Sequence, residues 1–315
     1  MSTLPSPAPI LVFGATGAQG GAVVAALLQS GRTPSAYVRD TASAAAQALA
    51  SCGVPLVQGA MDDPRALGTA LEGIEGVFSM QPPPAADDPE REIRFGAALL
   101  AAAREAGVRT FVHTSVARAD EHERFVGWTE RHWWPLYWES KAFVNQAVRE
   151  AGFVHHTILK PAWMMENLLP PRADWMVRGL RLRGRLETTL DPETRLDLIA
   201  ATDIGRFGAA ALLEPERFNR AEIPLAAEAI TMSEAARQIS AATGRAVAAH
   251  HVSPEGAMEL GNPPGVTENQ RWCNVEGYRV DHAAASSWDM PLTSFAEWAA
   301  AHADRFAVGE SDHAN

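Results

Sequence analysis

The sequence contains only two cysteines in 315 residues, Cys52 and Cys273. So small a number argues against a disulfide framework and a cysteine-type metal site, and it is typical of proteins from a reducing compartment. The sequence also lacks an apolar run near the roughly 18 residues that a membrane-spanning helix needs. Residues 1–9 carry no basic group ahead of an apolar stretch, which a signal peptide would require. We therefore expect a cytoplasmic protein that does not bind membranes.

Basic residues are outnumbered as well, because 27 Lys and Arg stand against 38 Asp and Glu and leave a formal net charge of -11. Proteins that bind nucleic acids through phosphate contacts carry an excess of positive charge, so a nucleic-acid partner is not expected. The histidine pairs at 155–156 and 250–251 have no carboxylate or cysteine at ligand spacing, and we predict no metal site. Apolar residues, in contrast, make up 47% of the chain, which is enough for a large core.

The most informative segment is the apolar strand 10–13, which runs directly into a G-x-x-G-x-x-G turn. Glycines at this spacing allow a tight turn, a close approach to a pyrophosphate and close packing of the next helix on the sheet. Residues 22–29 have the apolar pattern of such a helix, and Gly31 stands where its C-terminal cap is expected. A dinucleotide phosphate would bind the free N–H groups at the start of that helix. The residues expected to contact the cofactor there are Gly14, Thr16, Gly17, Ala18, Gln19 and Gly20.

Further strands are predicted at regular intervals, with helical segments between them. This alternation is typical of a mostly parallel sheet with helices on both faces, in a doubly wound, Rossmann-type α/β fold. We expect residues 8–160, together with about 200–226, to form the dinucleotide-binding domain. A smaller C-terminal substrate lobe is expected from residues 161–199 and 227–308. The predicted strands after the first are 35–38, 54–59, 76–80, 110–115 and 155–159.

Arg39 falls at the carboxyl end of the second predicted strand, where the adenosine ribose of a bound dinucleotide would lie. A guanidinium in this place favours the 2′-phosphate of NADP(H), whereas an acidic residue favours the free hydroxyl of NAD(H). Because Asp40 follows directly, the pattern favours NADP(H) but leaves NAD(H) open. The three prolines at 82–84 prevent a helix after the fourth strand and leave an open loop at the ligand-binding edge of the sheet.

Tyr137 and Lys141 are four residues apart near the start of a predicted helix, so both side chains project from one face. A lysine ammonium near a phenol favours the phenolate, which eases proton exchange with a carbonyl or an alcohol, and it can also hold the nicotinamide ribose. Ser115, at the end of the fifth strand, would orient the substrate oxygen. The alternative is a coincidental pair with Tyr137 in the core and Lys141 in solvent. His113 is a further candidate for proton transfer, although a lone histidine near a sheet is more often structural.

Tryptophans crowd the approach to this helix and its first turn. Flat rings supply large contact areas and stacking geometry, so they are candidates for the wall of a pocket that binds an aromatic substrate. Ordinary packing between the two subdomains is the alternative. The predicted pocket residues are Trp133, Trp134, Trp138 and Trp163.

Several segments carry a resemblance to a known family: 10–20, 59–63, 76–79, 140–141, 159–168, 201–205 and 230–232. Through them the chain resembles the NmrA-like atypical short-chain dehydrogenase/reductases over nearly its whole length. The resemblance implies NADP(H) binding. It also implies one of two roles, because the family contains reductases of quinones or plant phenolic compounds and redox-sensing or transcription-modulating proteins. With it we expect Met80, Gln81 and Pro161 at the cofactor and Asn167 in the substrate pocket.

Two positions bear on the choice between these roles. Ala60 stands where the family often has an acid that contacts adenine, so that contact falls to Asp62 or is absent. Many members lack the tyrosine four residues before the lysine, whereas this chain has Tyr137, which favours an enzyme. The leading hypothesis is an NADPH-dependent oxidoreductase that reduces a carbonyl, a quinone or a conjugated aromatic compound. The alternatives are a non-enzymatic NADP(H) sensor that acts through a protein partner and an inactive scaffold subunit, and a homodimer is compatible with each.

Overall fold

Four consecutive apolar residues form the first strand, β1 (Ile10–Phe13), and all four are buried. Such a strand has no polar face, as expected where helices cover both sides of a sheet. The computed structural model describes residues 8–309, so most of segment 1–9, for which no signal peptide is predicted, lies outside the described residues. Within residues 8–309, no helix is long and apolar enough to cross a membrane.

Helices and strands then alternate as far as the sixth strand. They are α1 (Ala18–Gln29), β2 (Ser35–Val38), α2 (Ala44–Ser51), β3 (Leu56–Gln58), α3 (Pro64–Leu71), β4 (Gly76–Ser79), α4 (Arg91–Glu105), β5 (Thr110–Thr114), α5 (Pro135–Glu150) and β6 (His155–Pro161). A short 3-10 helix, Ala119–Arg124, lies between β5 and α5. The predicted positions of these strands and helices agree with the structure to within a few residues.

The rest of the chain is less regular. It contains β7 (Trp163–Met164), α6 (Ala173–Met176), α7 (Gly179–Arg183), β8 (Arg185–Thr188), β9 (Leu196–Ile199), α8 (Ala201–Leu213), β10 (Ala221–Leu225), β11 (Glu228–Ile230), α9 (Met232–Thr243), β12 (Ala248–His251), α10 (Pro254–Glu259), α11 (Pro264–Val275), α12 (His282–Ser286) and α13 (Phe295–Ala301). Two further 3-10 helices are Met165–Leu168 and Ala303–Arg305.

The main sheet has seven strands in the order β10-β6-β5-β4-β1-β2-β3. The pairs from β6 across to β3 are all parallel. The strand order reverses at β1, which lies between β2 and β4, and ligands of such sheets bind at the carboxyl ends of the strands beside this switch point. The predicted doubly wound, Rossmann-type α/β fold is therefore confirmed. Two smaller sheets have the orders β11-β9-β7 and β12-β8.

Local sequence sets several helix ends. Asp63 caps α3 because its carboxylate accepts hydrogen bonds from the backbone N–H groups of Arg65 and Ala66, and a proline occupies the first helical position. At α9, Thr231 and Glu234 form a reciprocal capping box. The sequence predicts a helix over 203–213 that is capped near Thr202, but α8 begins at Ala201, so Thr202 lies inside the helix.

Contacts divide the chain into two units. The first contains the described residues up to Asp120, with Leu136–Lys160 and Ala201–Ile223, and the second contains Glu121–Pro135, Pro161–Ala200 and the described residues from Pro224 onward. Residues 121–135 are predicted to belong to the dinucleotide-binding domain, whereas these contacts group them with the second unit. The reason is visible in two neighbouring residues, since Phe125 packs 5.3 Å from Trp272 and the Val126 N–H donates to Glu276 over 2.8 Å.

Candidate cofactor and active site

The glycines of the turn between β1 and α1 leave little room for a Cβ. Gly14 has a positive φ of 67°, and its carbonyl accepts a hydrogen bond from the Gly17 N–H over 2.9 Å. A Cβ at Gly20 would overlap that same Gly14 carbonyl, and one at Gly17 would lie 3.3 Å from it. Gly17 is the N-terminal cap of α1 and no side chain caps the helix. The first backbone N–H groups of α1 are thus left for an anion such as a pyrophosphate.

Residues from the neighbouring strands surround this turn. Met80, directly after β4, lies so close to Gly14 that a Cβ there would be 2.5 Å from the methionine Cε. The Thr114 hydroxyl at the end of β5 donates to Gln19 Oε1 over 2.6 Å. Gln19 therefore connects the first turn of α1 to β5, which is separated from β1 by β4 in the sheet. Thr16 is exposed and Ala18 is half-buried at the mouth of the turn.

Arg39 and Asp40 at the end of β2 have different environments. The Asp40 carboxylate accepts the Ala42 N–H over 2.8 Å, and the Asp40 carbonyl accepts the Ser43 hydroxyl over 2.9 Å. These bonds commit Asp40 to the turn that leads into α2. The Arg39 side chain is exposed and has no carboxylate partner among residues 8–309. A guanidinium in this state at this strand end is the arrangement that suits a 2′-phosphate.

The third strand ends in a different hydrogen-bond pattern. The Tyr37 hydroxyl donates to the Ala60 carbonyl over 2.8 Å, and burial together with Asp63 and Asp62 raises the pKa of Tyr37 to about 12. Asp62 forms an ion pair with Arg94, with 3.0 Å between carboxylate oxygen and Nε, and both side chains are exposed. One carboxylate oxygen of Asp62 is thus already engaged, and its predicted adenine contact stays a prediction.

Tyr137 and Lys141 lie on one face of α5, as their spacing predicts. The Lys141 ammonium lies 5.2 Å from the centroid of the Tyr137 ring, so it is over the ring face. It also donates to Glu92 Oε1 over 2.7 Å, and Glu92 Oε2 accepts the Ser140 hydroxyl over 2.7 Å. Lys141 and Glu92 are both buried. Glu92 is not predicted from the sequence, because nothing in the local sequence distinguishes it from the neighbouring acids at the start of α4.

Burial and charge act in opposite directions on Lys141. Burial by itself would lower the pKa of the ammonium, but the Glu92 carboxylate, aided by Tyr137 and by the hydrogen bond to Glu92, more than compensates and raises the pKa above its ordinary value. Lys141 is therefore protonated at neutral pH although its side chain is only 10% exposed. A buried donor that is charged at neutral pH is suited to bind ribose hydroxyl groups or to stabilise a phenolate.

A chain of polar side chains lines the carboxyl ends of β4 and β5. Gln81 donates to the Ser79 hydroxyl over 2.9 Å, and that hydroxyl lies 3.3 Å from Nδ1 of His113. Burial and the nearby Lys141 charge lower the pKa of His113 to about 3, so this imidazole is neutral at physiological pH. The Ser115 hydroxyl and Gln81 Oε1 are buried and have no hydrogen-bond partner within the described part of the chain. Buried polar atoms of this kind are usually satisfied by a ligand or by water.

The predicted pocket residues occupy two units. Trp138 is buried in the first unit, beside Tyr137, with 5.2 Å between the ring centroids. Trp133, Trp134, Trp163 and Asn167 belong to the second unit. The Trp133 indole donates to the Val126 carbonyl over 2.7 Å, Trp163 is buried in β7, and Asn167 accepts a hydrogen bond from Arg172 over 3.2 Å. Trp133 and Trp163 thus have packing roles within their unit, and their contact with a substrate stays a prediction. Pro161 is the buried last residue of β6.

Comparison with known proteins adds to this geometry. The sequence profile of the NmrA-like family matches residues 7–298. The chain belongs to the NmrA-like family. This membership confirms the resemblance inferred from the sequence motifs.

Proteins similar to this chain include several reductases. An NAD(P)H azoreductase from Xenophilus azovorans is 31% identical over 311 residues, which cover 95% of this chain and 99% of the relative. A triphenylmethane reductase from Citrobacter sp., solved with NADP(H), superimposes with a TM-score of 0.74 at 22% identity and covers 94% of this chain and 99% of its own. An NADPH-dependent quinone oxidoreductase from Escherichia coli, solved with NADPH, has a TM-score of 0.73 at 22% identity. The match covers 92% of this chain and 98% of the oxidoreductase. At 22% identity the two structures support the fold.

Residues 8–309 contain no group of three or more His, Cys, Asp or Glu side chains that is arranged to hold a metal ion. Cys273 is buried, which raises the pKa of its thiol well above the ordinary value, and Cys52 is exposed.

Proposed function

We propose that this NmrA-like protein is an NADPH-dependent oxidoreductase whose substrate is a conjugated, electron-accepting compound such as an azo dye, a quinone or an aromatic carbonyl compound. The observation that carries the proposal is the glycine turn together with the buried, charged Lys141 at the same edge of one sheet. The chain-long similarity to an NAD(P)H azoreductase supports the substrate class.

The residues of the turn fit a dinucleotide. Helix α1 begins there with N–H groups that no side chain caps. A Cβ at Gly14 or Gly20 would meet neighbouring protein atoms, so glycine keeps the turn tight and its backbone close to a bound pyrophosphate. In this proposal the pyrophosphate binds residues 14–20, Arg39 binds the 2′-phosphate and Lys141 binds the nicotinamide ribose. The buried, unpartnered Gln81 Oε1 is an acceptor for a donor group of the cofactor.

The reaction needs a hydride, which carries two electrons, and a proton. The reduced nicotinamide, when bound, supplies the electrons as a hydride to the electron-poor atom of the substrate double bond. Tyr137 gives its hydroxyl proton to the atom that gains negative charge, and solvent restores that proton. Lys141 stabilises the transient phenolate, and Ser115 donates a hydrogen bond to the substrate heteroatom. His113 is neutral and is held by Ser79, so it does not act as the general acid.

The experiment that tests this proposal measures NADPH oxidation in the presence of azo dyes, triphenylmethane dyes, quinones and aromatic ketones. We expect turnover with at least one class. NADPH binding without turnover across the whole panel would contradict the enzyme proposal and favour the sensor. Dependence of a partner's binding on NADP(H) would then be the property to measure.

Substitution of Tyr137 tests the proton donor. Tyr137→Phe keeps the ring over which the Lys141 ammonium lies and deletes only the hydroxyl. We expect turnover to fall by about 10² to 10⁴, the contribution of a positioned acid or base, with little change in NADPH affinity. Lys141→Ala should reduce both quantities, because the ammonium is proposed to contact the ribose as well. Unchanged turnover in Tyr137→Phe would mean that another group delivers the proton.

A further inference from the structure

Helices α4 and α5 approach each other closely at Gly96 of α4 and Val144 of α5. Gly96 makes this possible, because a Cβ at this position would lie 2.8 Å from Cγ2 of Val144. Glu92 is one turn before Gly96 in α4, and Lys141 is three residues before Val144 in α5. The missing side chain at Gly96 therefore brings the Glu92 carboxylate within hydrogen-bond distance of α5.

Each oxygen of the Glu92 carboxylate accepts a hydrogen bond from one of two adjacent residues of α5. Oε1 accepts from the Lys141 ammonium and Oε2 accepts from the Ser140 hydroxyl, each over 2.7 Å. The exposed fractions of the Glu92 and Lys141 side chains are 3% and 10%. Lys141 has three N–H donors, and Glu92 is its only hydrogen-bond acceptor among residues 8–309. Two donors are left to bind another molecule.

A buried lysine needs such a partner. Removing an ammonium from water is costly, and without an opposite charge the group loses its proton instead. A carboxylate that is held by Ser140 gives the ammonium both a charge partner and a fixed direction. This pair lies beside the Tyr137 ring, so a change in Glu92 reaches the reaction only through Lys141 or Tyr137.

We propose that Glu92 is a positioning residue of this enzyme, which keeps Lys141 charged and aims its two free N–H groups at the nicotinamide ribose. This inference rests on the proposed function. Glu92 touches neither substrate nor cofactor in this assignment. Ser140 fixes the second carboxylate oxygen and thereby the orientation of the pair.

The surroundings of Lys141 contain few other groups that titrate. From α4 the group that faces it is Glu92, and from its own helix it is Tyr137. From β5 it is His113, which is neutral at physiological pH and adds no charge. Loss of the Glu92 charge is therefore not compensated by another acid.

The test compares the pH dependence of NADPH binding in the parent and in Glu92→Gln. Glutamine keeps the size and the hydrogen-bond acceptor but removes the charge. The parent dissociation constant should stay flat between about pH 6 and 9.5, since Lys141 remains protonated there. In Glu92→Gln we expect NADPH binding to weaken at alkaline pH. The pH at which half of the affinity is lost should be lower than in the parent by about 1 to 3 pH units, which is the usual effect of an adjacent opposite charge. Glu90→Gln is the matched control, because Glu90 is an exposed acid two residues earlier and should leave the profile unchanged.

Two further variants keep the inference testable if Glu92→Gln folds poorly. Ser140→Ala leaves the charge pair intact and frees only its second oxygen, so it should weaken NADPH binding by a smaller factor without the alkaline loss. In a Lys141→Gln background, Glu92→Gln should cause no additional loss of affinity, because the group through which Glu92 acts is gone.

The outcomes separate this inference from the proposed function. A parent protein that binds no NADPH would overturn the proposed function itself. A parent that binds NADPH, with a Glu92→Gln variant that is folded and has the parental pH profile, would overturn the role of Glu92 alone. Additive losses in the double variant would also overturn it, since they would show that Glu92 acts independently of Lys141.

Discussion

At the scale of single residues, adjacent side chains of opposite charge have separate functions. Arg39 and Asp40 follow β2 directly, and from the sequence either side chain could contact the adenosine ribose of the cofactor. The structure commits Asp40 to local hydrogen bonds with Ala42 and Ser43. The Arg39 side chain has no hydrogen bond or ion pair within residues 8–309, so the positive charge is the one available to a ligand. We infer that the residue pair favours NADP(H) over NAD(H).

Replacement of Arg39 tests this inference. Arg39→Ala should remove most of the preference for NADPH, by about 1.5 to 3 kcal/mol, the range for a hydrogen bond to a charged group. Calorimetric titration of the parent and the variant with both cofactors measures the ratio. Arg65→Ala is a suitable control, because Arg65 is also exposed but lies in α3. Equal affinities for the two cofactors in the parent would refute the assignment.

At the scale of elements, α1 connects the phosphate turn to the core by two close approaches. At its start, Gly20 lies against the Gly14 carbonyl. On its outer side, α8 packs on it so closely that a Cβ at Gly205 would lie 2.5 Å from the Ala22 backbone. Glycine is required at both positions because backbone, and not a flexible side chain, occupies the space. The position of α1, and hence of its free N–H groups, depends on these contacts.

Two glycines that both lie inside helices give a matched pair of variants. Gly20→Ala should lower the free energy of unfolding by about 1 to 3 kcal/mol, as overpacking typically does, and should abolish NADPH binding because the turn must shift. A Cβ at Gly68, in α3, would have no atom within 4 Å, so Gly68→Ala should increase stability by about 0.5 to 1 kcal/mol. Urea unfolding and cofactor titration measure both effects. If Gly20→Ala were as stable as the parent and bound NADPH normally, the close approach would have no role in the site.

At the scale of the whole molecule, the buried site makes stability depend on pH. The folded protein holds His113 neutral, with a pKa of about 3, whereas the ordinary value is 6.5. As the pH falls below 6.5, the unfolded chain takes up a proton at this residue and the folded chain does not, so stability decreases until the pH reaches about 3. At higher pH the residue has no such effect. His156, whose pKa burial and Arg220 also lower, acts in the same direction.

The variant His113→Asn should flatten this dependence. Asparagine offers a polar atom near the position of Nδ1 and does not titrate. Between about pH 6 and 4, the slope of the unfolding free energy against pH should decrease by about 1.4 kcal/mol per pH unit, the value for one proton. Urea unfolding at several pH values measures the slope, and the exposed His250→Asn should leave it unchanged. A parental slope in His113→Asn would show that the buried imidazole is not the source.

Much of the first unit can be predicted from local sequence. Strand β2 and helix α5 have the predicted bounds, and the glycine turn joins β1 to α1 as expected. The second unit is harder to predict. The sequence of residues 175–192 indicates an irregular or short helical insertion, but this segment contains the end of α6, all of α7 and the strand β8, which pairs with the distant β12. The amphipathic pattern of residues 292–306 predicts one helix, whereas the structure has the shorter α13 and a separate 3-10 helix there. Short strands that pair over long separations leave little periodicity in the sequence.

Spacing along the chain is enough to specify the order of strands and helices in the first unit, the phosphate turn and the family. Which charges meet is specified only once the chain has folded. Glu92 and Lys141 are 49 residues apart, and they pair because Gly96 lets two helices approach. Arg39 and Asp40 are adjacent, yet their roles separate only when the turn into α2 has formed. Charge partners depend on distances in space, which the spacing of residues along the chain does not record.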